Sequence, residues 1–172
     1  MADKARVGIL MGSDNDWTKI NGVGKALTEF GVPFEVNVMS AHRCAEDVKA
    51  YVQAAPGRGI EIFICAAGGA AHLAGVVASL TTHPVIAIPV ETALAGGLDS
   101  LLSMVQMPGD IPVACVGTTG IGGARNAGIL AVQMLALADA DLRKKLLEFR
   151  AELPKKIAAK NAALQERIKN GE

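Results

Sequence analysis

The chain has 172 residues, 51% of them hydrophobic, and 17 Lys+Arg balance 17 Asp+Glu, which suits one globular domain with a full core. Zero formal charge and an aromatic content of only 3% remove the clustered cations and stacking surfaces on which non-specific nucleic-acid binding depends. Cys44, Cys65 and Cys115 are odd in number and lack metal-ligand spacing, so they read as reduced thiols in a cytoplasmic setting.

In chain order, Met1–Arg6 carries no apolar signal core. A strand is expected over Arg6–Met11, then the polar turn Gly12-Ser13-Asp14-Asn15-Asp16 and a helix over Trp17–Phe30. A second strand, Phe34–Met39, runs into Ser40-Ala41-His42-Arg43 and a helix over Ala45–Ala55. The third strand, Ile60–Ala66, leads to Ala67-Gly68-Gly69-Ala70-Ala71-His72 and a helix over Ala70–Leu80. Strands Pro84–Pro89 and Pro112–Val116 flank a helix at Leu98–Met104, and the glycine-rich turn Gly117–Gly123 precedes a helix at Ala124–Leu137. That turn lacks a lysine and reads as a tight connection in preference to a phosphate cradle. Asp139–Asn170 reads as a helical extension broken or kinked at Pro154, with Leu142, Leu146, Phe149 and Leu153 on one stripe.

Residues 62–90 contain no Asp, Glu, Lys or Arg, yet Gly68-Gly69 and Thr81-Thr82-His83-Pro84 interrupt them short of the roughly 20 apolar residues a membrane span needs. A buried strand, helix and strand account for the stretch. Alternating apolar strands and helices define an α/β class with a parallel sheet, buried on both faces. Five strands suggest a flavodoxin-like three-layer sandwich in the order 2-1-3-4-5, with a Rossmann-type order as the alternative. The reading is a single domain over 1–172, with its core at about 5–138 and a tail at about 139–170. Helix 70–80 has no charge and helix 124–137 only Arg125, so another subunit is expected to cover them in a homo-oligomer.

Ligands of open α/β sheets sit outside the carboxyl ends of the strands, where strand order reverses. In the order 2-1-3-4-5 the loops after the first three strands meet there. They carry Ser13 and Asp16, then Ser40, His42 and Arg43, then Gly68, Gly69, Ala70, His72 and Leu73. A histidine's unperturbed pKa lies near neutrality, so His42 can give and take a proton. Exposed helix N–H groups beside Gly12 suit a phosphate, and Asp16 suits ribose hydroxyls. The plain alternative for Ser13 is a helix cap. His72, at a helix start where the dipole disfavours positive charge, is expected to hydrogen-bond or shape the site. His83 is expected to be structural.

Gly-Ser-x-x-Asp-Trp at 12–17, Ser-Ala-His-Arg at 40–43 and Gly-Gly-Ala-Ala-His-Leu at 68–73 resemble the PurE family in order and register. So do Gly-Leu-Asp-Ser-Leu-Leu-Ser-Met-Val-Gln-Met-Pro at 97–108 and Arg-Asn-Ala-Gly-Ile-Leu-Ala at 125–131. Within that family the chain is similar to the bacterial type, which moves a carboxylate from the exocyclic nitrogen to ring carbon 4 of aminoimidazole ribonucleotide. The resemblance implies no cofactor and no metal. It implies ribonucleotide binding by Ser13, Asp16 and Arg43, a base and carboxylate site lined by Ser40 and Gly68–Leu73, and an octamer. The carboxylase branch reads Ser-Ala-His-Lys and lacks the Gly-Gly-Ala-Ala-His segment, so Arg43 and His72 favour the mutase. Departures are Asn15 in place of serine, Glu91 in place of glutamine, and a Thr118–Gly123 turn about one residue longer. Direct carboxylation by free carbon dioxide is the nearest alternative. A non-catalytic nucleotide-binding module is the remote one, disfavoured because Ala66-Ala67 and Gly117-Thr118 stand where a phospho-receiver needs aspartate and lysine.

Overall fold

The computed structural model describes residues 4–171; Met1–Asp3, part of the stretch read for a leader, and Glu172 lie outside the described residues. The elements are β1 (Val7–Met11), α1 (Trp17–Ile20), α2 (Gly22–Phe30), β2 (Phe34–Val38), α3 (Ala45–Arg58), β3 (Ile62–Ala67) and α4 (Leu73–Ala78). β4 (Val85–Pro89), α5 (Leu98–Val105), β5 (Ala114–Cys115), α6 (Gly123–Leu135) and α7 (Ala140–Lys169) complete the order. Residues up to Val132 form one compact unit and residues from Gln133 another.

All strand pairs are parallel and the sheet order is β2-β1-β3-β4-β5, the flavodoxin-like order expected. Met11 stands opposite Val38 on one side and Ala66 on the other. The carboxyl ends of β1, β2 and β3 are therefore level, and the loops that follow them leave the sheet side by side.

Alternation along the strands divides the core. Leu10, Phe63, Cys65 and Ala87 pack with Val48 and Val52 of α3, Ala74 and Val77 of α4, and Met104 of α5. Ile9, Ile64, Ile86 and Ile88, one residue out of phase with these, are buried on the opposite face. α2 meets α6 closely enough that a Cβ at Gly128 would sit 2.8 Å from the Ala26 Cβ. The charge-free stretch 62–90 resolves into β3, α4 and β4. Among the described residues no helix is long and apolar enough to cross a membrane.

Several boundaries move for local reasons. The helix expected over Trp17–Phe30 divides at Asn21, whose side-chain amide donates to the Thr18 carbonyl at 3.3 Å. α3 runs three residues past Ala55: Pro56 fits the last turn, and Gly59 closes the helix at φ 112°. α4 starts at Leu73 instead of Ala70 because Gly69 adopts φ +70°, outside the helical region. β5 keeps only two residues, since Pro112 offers no N–H to the ladder. The chain itself explains part of the lack of charge in α4. Leu73, Ala74, Val77 and Ala78 are buried within the chain, and the Met107 sulfur would lie 3.2 Å from a Cβ at Gly75.

The second unit holds the end of α6 and the whole of α7. α7 is unbroken over Ala140–Lys169 with Pro154 inside it, so the break expected there does not occur. Losing one i to i−4 bond is tolerated in a helix that keeps its other backbone bonds. Asp139 caps it, its carboxylate accepting from the Leu142 N–H at 3.1 Å.

Candidate active site

Three loops build one crevice of about 400 Å³. In the first, the Gly12 N–H donates to the Ala66 carbonyl at 3.2 Å, and a Cβ at Gly12 would meet nothing within 4 Å, so the backbone lies open to a ligand. Ser13 does cap the short 3-10 turn Asp14–Asp16, its Oγ accepting from the Asn15 N–H at 3.3 Å, and it lines the crevice as well. Burial pushes the Asp16 carboxyl above the usual aspartate range. The Lys19 charge and a backbone hydrogen bond with Ser13 pull it back down, while Asp14 pushes it up.

In the second loop the Ser40 Oγ accepts from both the backbone N–H and the Nε of Arg43, each at 3.3 Å. The Arg43 Nη2 donates to the Gly12 carbonyl at 2.9 Å, joining this loop to the first. Cys44 is engaged in the same turn. Its Sγ accepts from the Ser40 N–H at 3.1 Å and donates to the Ser40 carbonyl at 3.3 Å.

The third loop supplies the second imidazole. His72 occupies the N-cap position of α4, immediately before the helix and not in its first turn. Its Nδ1 lies 2.9 Å from the Nε2 of His42, with ring centroids 4.9 Å apart and planes at 82°. Such a contact holds one hydrogen, donated by one ring and accepted by the other. Two histidines 30 residues apart thus form one proton-carrying unit at the mouth of the crevice.

Every site residue expected from the sequence lines this crevice except Gly69, whose neighbours Gly68 and Ala70 on either side do. Ala41 and Ala67 join the lining unforeseen; small apolar residues in loops carry no chemical signal of their own. His83 lies at the amino end of β4, its Nδ1 3.1 Å from the Glu61 carbonyl, away from the crevice. The Thr118–Gly123 turn ties loops together: Thr119 Oγ1 accepts from the Glu91 N–H at 3.0 Å. Lys19 Nζ donates to the Glu91 carbonyl at 3.3 Å. Among the described residues no three His, Cys, Asp or Glu side chains converge as a metal would require.

Fold and crevice together define a flavodoxin-like α/β protein whose strand-end pocket pairs an arginine and a carboxylate with a coupled histidine pair. Comparison with known proteins narrows this class. The profile of the AIR carboxylase family matches residues 6–156, and the chain belongs to that family. It is 50% identical over 163 residues to the N5-carboxyaminoimidazole ribonucleotide mutase of Mycobacterium tuberculosis H37Rv, covering 95% of this chain and 92% of that one. It is 51% identical over 143 residues to the mutase of the same name from Aquifex aeolicus, covering 83% and 84%. The crystal structure of Treponema denticola PurE superposes with a TM-score of 0.82 at 26% identity, covering 92% of this chain and 97% of that one.

Proposed function

We propose that the protein is an isomerase of purine biosynthesis, converting 5-(carboxyamino)imidazole ribonucleotide to 4-carboxy-5-aminoimidazole ribonucleotide. The observation that carries the reading is the His42–His72 pair at 2.9 Å beside Arg43 and Asp16 in one crevice. Relatives about half identical over most of the chain and named for this activity support it.

In the proposed reaction Arg43 and Ser13 take the phosphate, Asp16 accepts from the ribose hydroxyls, and Ser40 with Gly68–Leu73 surrounds the imidazole and its carboxylate. Protonated His42 gives its proton to the carbamate nitrogen; the N–C bond breaks and carbon dioxide is released inside the crevice. Ring carbon 4 then bonds to that carbon dioxide, and His42, now neutral, removes the ring hydrogen. Proton and carboxylate both balance, so a single base serves twice. His72 orients the His42 ring through its Nδ1 and fixes which His42 nitrogen carries hydrogen.

Direct carboxylation of aminoimidazole ribonucleotide is the second reading, since the family takes its name from that activity. Arg43 and the Gly68–His72 segment favour the mutase. The two readings separate by supplying each ribonucleotide alone at low bicarbonate and following product. Turnover of the carbamate alone supports the mutase; turnover only of the uncarboxylated ribonucleotide, rising with bicarbonate, supports the carboxylase.

The protein is further proposed to act as a cytoplasmic homo-oligomer, an octamer by family resemblance. Leu94, Leu98, Leu102 and Val105 are 61%, 45%, 44% and 49% exposed and share one face of α5 and the turn before it. That apolar stripe suits a second copy.

A further inference from the structure

The stretch Gly97–Ser103 carries part of the family resemblance, yet none of its residues lines the crevice. α5 reaches the crevice wall through one glycine. The Gly69 N–H donates to the Ser100 Oγ at 3.0 Å, and the Gly69 carbonyl accepts from the Ser103 Oγ at 3.2 Å. Ser100 is the buried polar residue of the core among the described residues, fully enclosed, and its own proton goes to the Val90 carbonyl at 2.8 Å. Ser103 shares its proton with the Asp99 carbonyl at 2.8 Å. Two hydroxyls three residues apart on one helix face therefore grip both polar atoms of a single peptide residue.

That residue is held in a conformation with an energetic reason to be gripped. Gly69 has φ +70°, and a Cβ there would meet nothing within 4 Å, so it is the backbone angle and not crowding that calls for glycine. A glycine has many other backbone angles available. The α5 hydroxyls, together with the Ala71 N–H that donates to the Gly69 carbonyl at 2.8 Å, remove that freedom at the point where the chain turns from Gly68 into Ala70.

We propose that Ser100 and Ser103 are positioning residues for carboxylate transfer: by fixing Gly69 they hold closed the Gly68–Leu73 wall behind which carbon dioxide waits between the two half-reactions. This inference rests on the mutase reading. Between the steps carbon dioxide is neutral and unbonded, so no charge partner retains it and only the walls do. A wall free to open lets it escape, leaving aminoimidazole ribonucleotide as a by-product.

The test supplies unlabelled carbamate substrate in buffer containing 13C-bicarbonate, and measures label in the product and free aminoimidazole ribonucleotide above an enzyme-free control. Wild type returns mostly unlabelled product. Ser103→Ala raises label and by-product by roughly fivefold, the factor one net hydrogen bond is worth, with KM for the ribonucleotide little changed. Ser103→Thr, which keeps the hydroxyl, restores retention. Ser100→Ala acts in the same direction but removes a buried group, so Ser103 carries the decision. A Ser103→Ala enzyme that retains its carboxylate as wild type does overturns the inference. So does one that loses only thermal stability and kcat in step, without leakage. Wild type that yields no product from the carbamate removes the mutase reading itself, a result distinct from either.

Discussion

His42 Nε2 and His72 Nδ1 face each other at 2.9 Å across two loops that leave β2 and β3, the strands on either side of β1, with their ring planes nearly perpendicular. One hydrogen lies between them, so the orientation and tautomer of either ring depend on the other. His42→Asn is expected to retain ribonucleotide binding and lose turnover by about 10²–10⁴-fold, the range for removing a general acid–base. His72→Phe should lower kcat less, by about tenfold to a hundredfold, because it removes orientation and leaves the proton carrier. The double variant should be no slower than His42→Asn alone, since residues acting as a unit are not additive. Single-turnover kinetics with each variant check this; equal, independent losses would contradict a coupled pair.

Asp16 adds a pH dependence. Burial is the largest influence on its carboxyl and raises its pKa, so in the free protein the charged form is disfavoured relative to the unfolded chain. The stability Asp16 contributes is fully present below the unfolded value and is lost as pH rises through the raised folded value. Ribose binding needs the ionised acceptor, so affinity runs the opposite way and falls as pH drops through that same value. The acid limb of kcat/KM is therefore expected above the usual aspartate range. Asp16→Asn should remove that limb, raise KM about 10–100-fold through loss of charged hydrogen bonds, and leave the melting temperature unchanged or higher near neutral pH. A pH series of initial rates with parallel thermal melts decides it.

Arg43 illustrates why a conservative exchange fails at a planar site. Its guanidinium bonds Gly12 and Ser40 at once, which spaces the first two loops while leaving other N–H groups for an anion. Lysine keeps the charge but not the fork. Arg43→Lys is expected to weaken ribonucleotide binding by about tenfold, the loss of one charged hydrogen bond, with kcat affected less than KM. Titration calorimetry with the ribonucleotide product measures it directly.

The strands and the loops between them were readable because central parallel strands such as Ile62–Ala67 are uninterrupted apolar runs, and each ends abruptly in polar or glycine residues. Knowing the strand order then brings His42 and His72 onto the two loops that flank the end of β1. Their direct contact was not readable, since a 2.9 Å approach depends on loop shape and not on residue type. The serine grip on Gly69 was hidden for a related reason: it joins side chains to backbone atoms 31 and 34 residues away. The break expected at Pro154 does not form, because the cost of proline is local and the surrounding hydrogen bonds outweigh it. Absence of charge at α4 is accounted for within the chain at Leu73, Ala74, Val77 and Ala78, while Gly75 and Val76 stay part-exposed, and enclosure by the chain's own residues looks the same in sequence as cover by a neighbour.

The α5 stripe extends that last point. Leu98 and Leu102 are nearly half exposed, while Ser100 and Met104 on the other side of the same short helix are fully buried. The helix thus presents leucines on the side that has no partner within the chain, while its other side is packed and hydrogen-bonded. Burying a leucine fully is worth about 1.5–3 kcal/mol, so a symmetric contact that covers both residues on both copies gains several such increments. Replacing Leu98 and Leu102 together by glutamate places charges in that contact without touching the core. The expected result is a folded protein, by circular dichroism, whose mass in light scattering drops below that of wild type at micromolar concentration. α5 also holds Gly69, so the dissociated protein should lose activity more than its intact secondary structure would suggest. A wild-type chain that is already monomeric under these conditions would show that the stripe has no such partner.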